Sequence, residues 1–208
     1  MRVSSLLMEA EVAEKKSDDV QYFNRRSLTY ENSLEQWFFF DRIQKAVLNM
    51  VEKDYTPEAV VDVGCGTGRL LRKVRERWPM ARLIGVDAAA GMIENARQLM
   101  PYATFYVSKA ESLPLPDSSV DLVFSTASFH HWQDKEKALR EIRRVLRLGG
   151  RFFLADIWPP LGLSRFSRHF RSNDPARIRK SFANAGLQVQ DQRRRLRLWL
   201  LITVGERL

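Results

Sequence analysis

Short apolar runs alternate with amphipathic segments through the middle of the chain, from Pro57 to residue 157. Each apolar run is four to seven residues long, which is typical of a buried strand, and most segments between the runs carry apolar residues at helical spacing. Strands and helices in alternation predict parallel strands joined by right-handed crossovers. The predicted strands are Ala59–Val63, Arg82–Val86, Thr104–Val107, Asp121–Ser125 and Arg151–Ile157, and the predicted helices between them are Gly68–Trp78, Ala90–Met100 and Asp134–Leu148.

The N-terminal region carries a different pattern. Residues 1–20 show no sustained periodicity and are predicted to form a flexible tail. Residues 21–56 are predicted to form a helical lid or cap, because a mostly apolar stripe follows one helix from Ser33 to about Lys53. Ser33 and Gln36 have the spacing of a capping box, which supports a helix start at Ser33.

The C-terminal region completes the predicted fold. Beyond Pro159–Pro160 the sequence predicts a helix over residues 174–185 and two extended runs, Leu187–Arg193 and Leu196–Val204. These runs are close enough in sequence to pair as an antiparallel hairpin at the sheet edge. Residues 57–208 are therefore predicted to form one α/β domain. The expected architecture is a Rossmann-like, seven-stranded, mostly parallel sheet with helices on both faces and an antiparallel C-terminal hairpin.

The chain has 208 residues and a formal charge of +9. Its basic residues cluster at Arg140–Arg151, Arg165–Lys180 and Arg193–Arg197, and such clusters attract nucleic acid, acidic lipid or anionic substrates. The alternative is that the first two clusters are solvated helix faces and the third is an exposed edge strand, where basic residues deter aggregation. We favour this alternative, because no cluster alternates with aromatic residues that would stack on bases.

Composition excludes several classes of protein. A single cysteine, Cys65, rules out a disulfide framework, and three histidines, two of them adjacent, make a poor metal site. The longest strongly apolar run, Leu198–Val204, is too short to cross a bilayer. The first residues lack the basic start and apolar stretch of a signal peptide. We therefore expect a cytoplasmic protein with no metal and no transmembrane segment.

Residues 60–70 read Val-Val-Asp-Val-Gly-Cys-Gly-Thr-Gly-Arg-Leu, a buried strand that runs into a glycine-rich turn and then a helix. The three glycines of residues 64–68, the glycine loop, allow a tight turn and a close approach of backbone to ligand. Asp87 lies 21 positions after Gly66, at the end of the next apolar run. A carboxylate there is placed to accept hydrogen bonds from ribose hydroxyls. The G-x-G-x-G spacing differs from the pyrophosphate-binding pattern G-x-G-x-x-G, and no G-K-[ST] sequence of a nucleoside-triphosphate loop is present.

With these motifs the sequence resembles the class I S-adenosylmethionine-dependent methyltransferases, especially the branch that contains the ubiquinone and menaquinone biosynthesis methyltransferases. The resemblance covers about residues 58–157 and includes several blocks in the family's order. Residues 110–117 and 120–125 look like the family's third and fourth strands with the loop between them. Residues 129–132, Phe-His-His-Trp, look like its histidine-rich turn, and residues 144–150 look like its helix-ending glycines.

The resemblance implies S-adenosylmethionine as the cofactor and S-adenosylhomocysteine as the product. It implies that the glycine loop meets the methionine half of the cofactor, with Asp62 below it, and that Asp87 holds the ribose. It further implies that Met92 packs near the adenine, that residues 109–111 meet the adenine edge, and that Ser125 lies near the cofactor's amino group. The implied cofactor-binding residues are Asp62, Gly64, Cys65, Gly66, Gly68, Asp87, Ala88, Met92, Lys109, Ala110, Glu111 and Ser125.

Three positions depart from the family's pattern. Lys109 stands where the family commonly has an aspartate that accepts a hydrogen bond from the adenine amino group, and a lysine cannot accept one. We therefore expect backbone at Ala110 to recognise the adenine, with reduced affinity. Ala89 stands where the family often has a helix-capping serine, a loss worth about 1 kcal/mol. Leu148 replaces a proline, which we expect to be harmless.

His130 and His131 are the candidate catalytic residues, because histidine titrates near neutral pH and can take a proton from an acceptor. The alternative, which we favour, is a structural turn whose rings pack beside the cofactor; if one of the two is catalytic, its position in the family's motif favours His131. Cys65 is either a nucleophile or, as its place in a tight turn favours, a small packing residue. The aromatic cluster of Trp37–Phe40, Tyr22, Phe23 and Tyr30 is either a lid over an apolar acceptor or core packing.

We expect a methyltransferase that acts on a quinone-like, phenolic or other natural-product acceptor. The alternatives are a methyltransferase for RNA or protein, which the basic charge favours, and a non-catalytic cofactor-binding protein, which Lys109 leaves open. Nucleic acid is not favoured, because residues 125–128 read Ser-Thr-Ala-Ser, unlike the Asn/Asp-Pro-Pro-Tyr sequence of enzymes that methylate base amino groups. A short segment before the last helix predicts a small lid, so the acceptor pocket is either open or completed by a second subunit of a homodimer.

Overall fold

The computed structural model describes residues 19–27, 40–158, 174–195 and 200–208. Within these ranges the strands are β1 (Ala59–Val63), β2 (Arg82–Asp87), β3 (Thr104–Val107), β4 (Val120–Thr126), β5 (Leu146–Ile157), β6 (Gln188–Arg195) and β7 (Leu200–Glu206). They form one sheet in the order β3-β2-β1-β4-β5-β7-β6. The first five strands are parallel, and β7 is antiparallel to both β5 and β6. The predicted seven-stranded, Rossmann-like sheet with an antiparallel C-terminal hairpin is confirmed.

Helices cover both faces of the sheet, as predicted. The helices are α1 (19–27), α2 (Asp41–Leu48), α3 (Arg69–Arg77), α4 (Ala90–Leu99), α5 (Lys135–Val145) and α6 (Pro175–Asn184). Apolar side chains of α2, α3 and α4 pack on one face, and those of α5 and α6 pack on the other. Because β1 lies between these two layers, all five of its residues are buried. Within the described ranges, no helix is long and apolar enough to cross a membrane.

Two predicted helix ends are wrong. Both helices end earlier than predicted, and at each end a distant arginine side chain binds backbone carbonyl oxygens. Helix α2 stops at Leu48 rather than near Lys53, and the guanidinium of Arg77 donates to the carbonyl oxygens of Leu48, Val51 and Glu52. The Leu48 carbonyl is one of the last four of the helix, which have no donor within the helix, so the guanidinium stabilises this end. Val51 and Glu52 lie in the segment just after it.

Helix α5 likewise stops at Val145 rather than Leu148. Arg207 donates to the carbonyl oxygens of residues 143, 144 and 146. Residues 146–150 were predicted to end a helix with two glycines, but they form the start of β5 instead. Leu146 pairs with Val120 of β4, and the register between the two strands shifts before Arg151 pairs with Leu122.

Helix α1 was not predicted as a separate helix: residues 19 and 20 were assigned to a flexible tail, and residues 21–27 to the helical lid or cap. It is attached to α4: Asn24 Oδ1 accepts a hydrogen bond of 2.9 Å from the N–H of Gly91, and Asn95 Nδ2 donates to the carbonyl of Ser27 at 2.8 Å. Ala89, at the N-cap of α4, supplies no side-chain cap. Asn24 therefore satisfies one N–H of the first turn in place of the capping serine.

Some predictions fall on residues outside the described ranges. These are the tail up to residue 18, the helix start at Ser33 and the segment after Pro159–Pro160 as far as residue 173. Of the third basic cluster, Arg193, Arg194 and Arg195 are exposed on β6, which forms an edge of the sheet. This agrees with the interpretation of these arginines as an edge strand that resists aggregation.

Candidate active site

A cavity of about 290 Å³ opens at the carboxyl ends of β1, β2 and β4. In the sheet, β1 lies between β2, which follows it in the chain, and β4, so the strand order reverses direction at β1. Ligands of open α/β sheets bind at such a point, because the loops after neighbouring strands diverge there and leave a crevice. The cavity is lined by the glycine loop as far as Thr67, by residues 86–89 after β2, by residues 126–128 after β4, and by side chains of α1 and α2.

The glycine loop adopts a backbone that L side chains rarely take. The φ angles of Gly64, Gly66 and Gly68 are +77°, +53° and +82°. A Cβ atom on Gly64 would also lie 1.9 Å from Ser128 Oγ. The loop therefore requires glycine both for its left-handed turns and for the close approach of residue 128.

Asp87 points at the glycine loop. Its Oδ2 accepts a hydrogen bond of 2.9 Å from the N–H of Gly66, and its Oδ1 accepts one of 2.9 Å from the N–H of Ala89. Burial raises the pKa of Asp87, and the backbone N–H donors oppose only part of this rise. Each carboxylate oxygen retains a second lone pair, so the side chain can accept hydrogen bonds from a ligand without losing its backbone contacts.

Asp62 is a buried carboxyl group without a partner for one oxygen. Its side chain is 1% exposed, it lines the cavity, and Oδ1 has no hydrogen bond within the part of the chain that the structure describes. Burial, followed by the nearby carboxylate of Asp87, raises the pKa of Asp62 to about 8. A buried polar atom without a partner is unfavourable. The site therefore fits a ligand that presents a cation or a hydrogen-bond donor beside the glycine loop.

Residues 128–132 form the histidine turn, a 3₁₀ turn at Phe129–His131 between β4 and α5. The Trp132 indole donates to Ser128 Oγ at 3.0 Å, and the N–H of His131 donates to the carbonyl of Ser128 at 2.9 Å. Ala127, which leads into the turn, has a φ of +52°. A non-glycine residue in this region costs of order 1–2 kcal/mol, and such strain is retained where the surrounding structure fixes it.

His130 is paired with a buried carboxylate on β5. Its Nδ1 lies 2.8 Å from Asp156 Oδ1, and its N–H donates to Asp156 Oδ2 at 2.9 Å. Asp156 is 1% exposed. Burial alone would lower the pKa of His130, but the charge and the hydrogen bond of Asp156 outweigh it and raise the pKa. The pairing places the proton of neutral His130 on Nδ1 and leaves Nε2 as the ring nitrogen that can bind a ligand's proton.

His131 lies in a different environment, although its ring centroid is 3.9 Å from that of His130. Its Nδ1 lies 2.9 Å from Asp19 Oδ2, on α1, and its ring meets Phe23 edge to face at 5.3 Å. Burial, followed by the neighbouring charge of His130, lowers the pKa of His131. His131 thus connects the histidine turn to α1, which also binds α4.

Two of the residues predicted to meet the adenine edge have partners within the protein. Lys109 Nζ donates to Gln133 Oε1 at 3.1 Å. Glu111 Oε1 accepts from the N–H groups of Gln133 and Asp134, at 2.7 and 2.9 Å, ahead of α5. Both residues line the cavity, so their contacts hold Ala110, which lies between them, beside the cavity.

Most of the predicted site residues lie around this one cavity. The lining includes Asp62, Gly64, Cys65, Gly66, Asp87, Ala88, Met92, Lys109, Ala110, Glu111, His130 and His131. Gly68 and Ser125 are outside the lining: Gly68 is the N-cap of α3, and the Ser125 hydroxyl is buried on β4. Burial raises the pKa of the Cys65 thiol well above its ordinary value, which opposes a nucleophilic role.

Residues at this site that were not predicted from the sequence include Asp19, Gln44, Arg69 and Asp156. A signal existed for two of them, because Asp156 is a carboxylate inside an apolar strand and Arg69 directly follows the glycine loop. Asp19 and Gln44 lie on helices whose approach to the cavity depends on tertiary packing.

Comparison with known proteins identifies the family. Residues 61–154 match the family described as the methyltransferase domain. Demethylmenaquinone methyltransferase of Thermotoga maritima is 29% identical over 147 residues, which are 70% of this chain and 64% of that protein. Trans-aconitate 2-methyltransferase of Azoarcus sp. is 40% identical over 91 residues, which are 44% of this chain and 36% of that protein. The chain thus spans less than two thirds of the length of either curated relative.

A solved structure shows the same fold over a larger share of the chain. A methyltransferase in complex with the Haloferax volcanii Trm112 methyltransferase activator matches with a TM-score of 0.75 at 24% identity, over 88% of this chain and 96% of that one. The family match, the curated relatives and the strand order agree with the resemblance found in the sequence. Residues 61–154 therefore carry a methyltransferase domain, and the chain is similar to the class I S-adenosylmethionine-dependent methyltransferases.

Proposed function

We propose that this protein transfers the methyl group of S-adenosylmethionine to a small-molecule acceptor of the quinone-like, phenolic or natural-product type. The observation that carries the proposal is that one cavity is lined by the glycine loop, by Asp87 and by a histidine held by a buried carboxylate. The names of the curated relatives, which specify demethylmenaquinone and trans-aconitate, support a small-molecule acceptor.

The residues of the cavity fit the cofactor. The glycine loop offers backbone without side chains to the methionine half, and the unpartnered oxygen of Asp62 accepts from its ammonium group. Asp87 accepts from the ribose hydroxyls with its remaining lone pairs, and Met92, which is 1% exposed, packs against the adenine. Backbone at Ala110 recognises the adenine edge, since Lys109 is turned to Gln133. When bound, the cofactor supplies a methyl group on a sulfonium, an electrophile that needs no further activation.

Helix α1 closes the acceptor side of the cavity. Tyr22 and Phe23 of this helix line the cavity, with their rings 5.4 Å apart and edge to face, and Phe40 lines it next to α2. The aromatic surface suits a planar or apolar acceptor. Because α1 is bound to α4 at one side and to His131 at the other, it can exclude water from the reacting atoms.

His130 is the proposed general base, and Asp156 is the residue that positions it. With Nδ1 bound to Asp156, the Nε2 of neutral His130 takes the proton from an acceptor hydroxyl or acidic carbon as the methyl group is transferred. His131, whose pKa is lowered and whose Nδ1 binds Asp19, fixes α1 instead. The raised pKa of His130 makes it the stronger base of the two once it is neutral.

Asp62→Asn tests whether Asp62 binds the ammonium group of the cofactor. The substitution should stabilise the ligand-free protein and weaken cofactor binding. The pKa of Asp62, about 8 in the fold, lies above the value of about 4 for an unfolded aspartate. Its stabilising contribution is therefore present below that unfolded value and lost as the pH rises through about 8. Thermal unfolding of ligand-free protein should show that the melting temperature of Asp62→Asn exceeds that of the wild type increasingly from about pH 6 to 9.

The same substitution should weaken cofactor binding. Calorimetry should give an affinity for S-adenosylmethionine about 10- to 100-fold lower for Asp62→Asn, since a charge-assisted hydrogen bond is lost. For the wild type, binding below pH 8 should release a proton, which two buffers of different ionisation enthalpy would detect. Equal affinities, or a wild-type melting temperature that does not fall relative to the variant, would contradict this assignment of Asp62.

An acceptor panel tests the reaction itself. The purified protein is incubated with S-adenosylmethionine and, in separate arms, demethylated quinols, simple phenols, di- and tricarboxylic acids, and total tRNA, and S-adenosylhomocysteine is measured. Turnover in a small-molecule arm is expected. Turnover in the tRNA arm alone would replace the proposal with RNA methylation, and the basic surface would then bind the acceptor in a salt-sensitive manner. Cofactor binding without turnover in any arm would indicate a non-catalytic protein.

A further inference from the structure

Three buried polar atoms without a hydrogen bond to the described residues belong to side chains that line the cavity. They are Gln44 Oε1, Asp62 Oδ1 and Arg69 Nη1. The two ionic groups among them, a carboxylate and a guanidinium, lie on either side of the glycine loop: Asp62 in β1 and Arg69 at the start of α3. Neither has its missing charge partner in the part of the chain that the structure describes.

Arg69 lies where the backbone also attracts an anion. It is the first residue of α3, and the N–H groups of a first helical turn have no partners within the helix. Gly68, the N-cap, makes no side-chain cap, and the first turn contains no acidic residue. The guanidinium and the positive end of the helix therefore both face the cavity without an anion from this part of the chain.

These groups complement an α-amino acid. An α-amino acid carries an ammonium and a carboxylate on one carbon, so its binding site needs an acceptor and a donor that flank one small volume. Asp62 and Arg69 supply these two charges across a five-residue loop whose glycines leave room for the ligand's backbone-like atoms. Arginine suits the carboxylate, since its planar fork of N–H groups matches two carboxylate oxygens.

We infer that Arg69, together with the first turn of α3, binds the α-carboxylate of S-adenosylmethionine, while Asp62 binds its α-ammonium group. The inference rests on the proposed function, because it takes the cofactor's methionine half to lie on the glycine loop. It assigns Arg69 to the cofactor and not to a carboxylate on the acceptor.

Decarboxylated S-adenosylmethionine isolates this contact, because it keeps the ammonium group and lacks only the carboxylate. Dissociation constants for both compounds are measured by calorimetry on the wild type, Arg69→Gln and Arg75→Gln. Arg75 is the matched control: it lies on the same helix, outside the cavity lining, with its guanidinium 4.9 Å from the ring centre of Tyr102. Thermal unfolding without ligand checks that each variant is folded.

The wild type and Arg75→Gln should bind S-adenosylmethionine about 10- to 100-fold more tightly than the decarboxylated compound, the ratio expected for one charge-assisted contact. Arg69→Gln should bind the two compounds alike, through a loss of affinity for S-adenosylmethionine alone. Its ligand-free melting temperature should not fall, since a buried guanidinium atom without a partner stabilises nothing.

Several results would overturn the inference. One is equal affinity of the wild type for both compounds, a result that does not depend on whether any variant folds. Another is an Arg69→Gln protein that keeps the wild-type ratio, or that loses affinity for both compounds by the same factor. Unchanged S-adenosylmethionine affinity with a raised KM for the acceptor would assign Arg69 to the acceptor. If the wild type binds neither compound, the proposed function itself fails.

Discussion

Replacing His130 with asparagine should lower kcat for methyl transfer by about 100- to 10,000-fold, the contribution typical of a general base. The substitution removes the ring nitrogen proposed to take the acceptor's proton, while the glycine loop and Asp87, the proposed cofactor site, are unchanged. The affinity for S-adenosylhomocysteine should therefore stay close to that of the wild type. Initial rates with an accepted substrate from the panel, together with calorimetry, separate these two effects.

His131→Asn is the matched comparison, since it removes an adjacent imidazole from the same turn. Its main expected effect is on α1, which loses the contact between His131 and Asp19. Hydrogen exchange in residues 19–27 should increase, and kcat should change far less than in His130→Asn. A His131 variant with the larger loss of kcat would assign the base to His131 and contradict the proposed role of His130.

Asp156→Asn tests whether the carboxylate positions and tunes His130. Asp156 raises the pKa of His130 against the effect of burial, so its loss should lower that pKa and move the acidic limb of the kcat/KM profile to lower pH. Because the folded-state pKa is raised, the pair stabilises the fold below the unfolded pKa of about 6.5, and this contribution is lost as pH rises through the folded value. Asp156→Asn should therefore destabilise the protein more at about pH 5.5 than at about pH 8.5. Unmoved pH profiles of rate and stability would contradict the pairing.

Asp87→Ala should weaken the binding of S-adenosylmethionine and S-adenosylhomocysteine by about 100-fold or more, because the two hydrogen bonds proposed between the ribose hydroxyls and this carboxylate are lost. The substitution also removes the acceptor that holds the N–H of Gly66, so the glycine loop loses its anchor to the end of β2. Asp87→Asn keeps one acceptor oxygen and should fall between the wild type and Asp87→Ala. Calorimetry with both ligands measures the effect.

Asp117→Asn is the control for Asp87, since it removes a carboxylate that is 75% exposed and pairs with Arg144 outside the cavity. Its affinity for the cofactor should match that of the wild type. If Asp87→Ala binds S-adenosylhomocysteine as well as this control does, the ribose is not held at the end of β2.

The sequence predicts what depends on nearby residues. The strand at Ala59–Val63, the glycine loop and the carboxylate at Asp87 lie in one continuous strand-turn-helix-strand segment, so apolar runs and glycine spacing are enough to identify them. The helix ends at Leu48 and Val145 depend on Arg77 and Arg207, which lie 29 or more positions away and whose hydrogen bonds leave no local signal.

Contacts between distant residues were likewise beyond prediction. His131 binds Asp19 across 112 positions, and His130 binds Asp156 across 26. The family motif indicates the two histidines, but their opposite pKa shifts follow from these partners. From the sequence a structural turn was favoured, and His131 was the better candidate base only because of its motif position. The pairing of His130 with Asp156 is the reason that His130 is proposed instead.

A crystal structure with S-adenosylhomocysteine tests the central claim most directly. We expect the nucleoside to lie between the glycine loop and Asp87, with its amino-acid end beside Asp62 and its sulfur facing the histidine turn. At about 1 mM, a ligand half-fills a site whose binding free energy is only about −4 kcal/mol. A cavity that stays empty at this concentration, or a ligand bound on another face of the sheet, would contradict this claim.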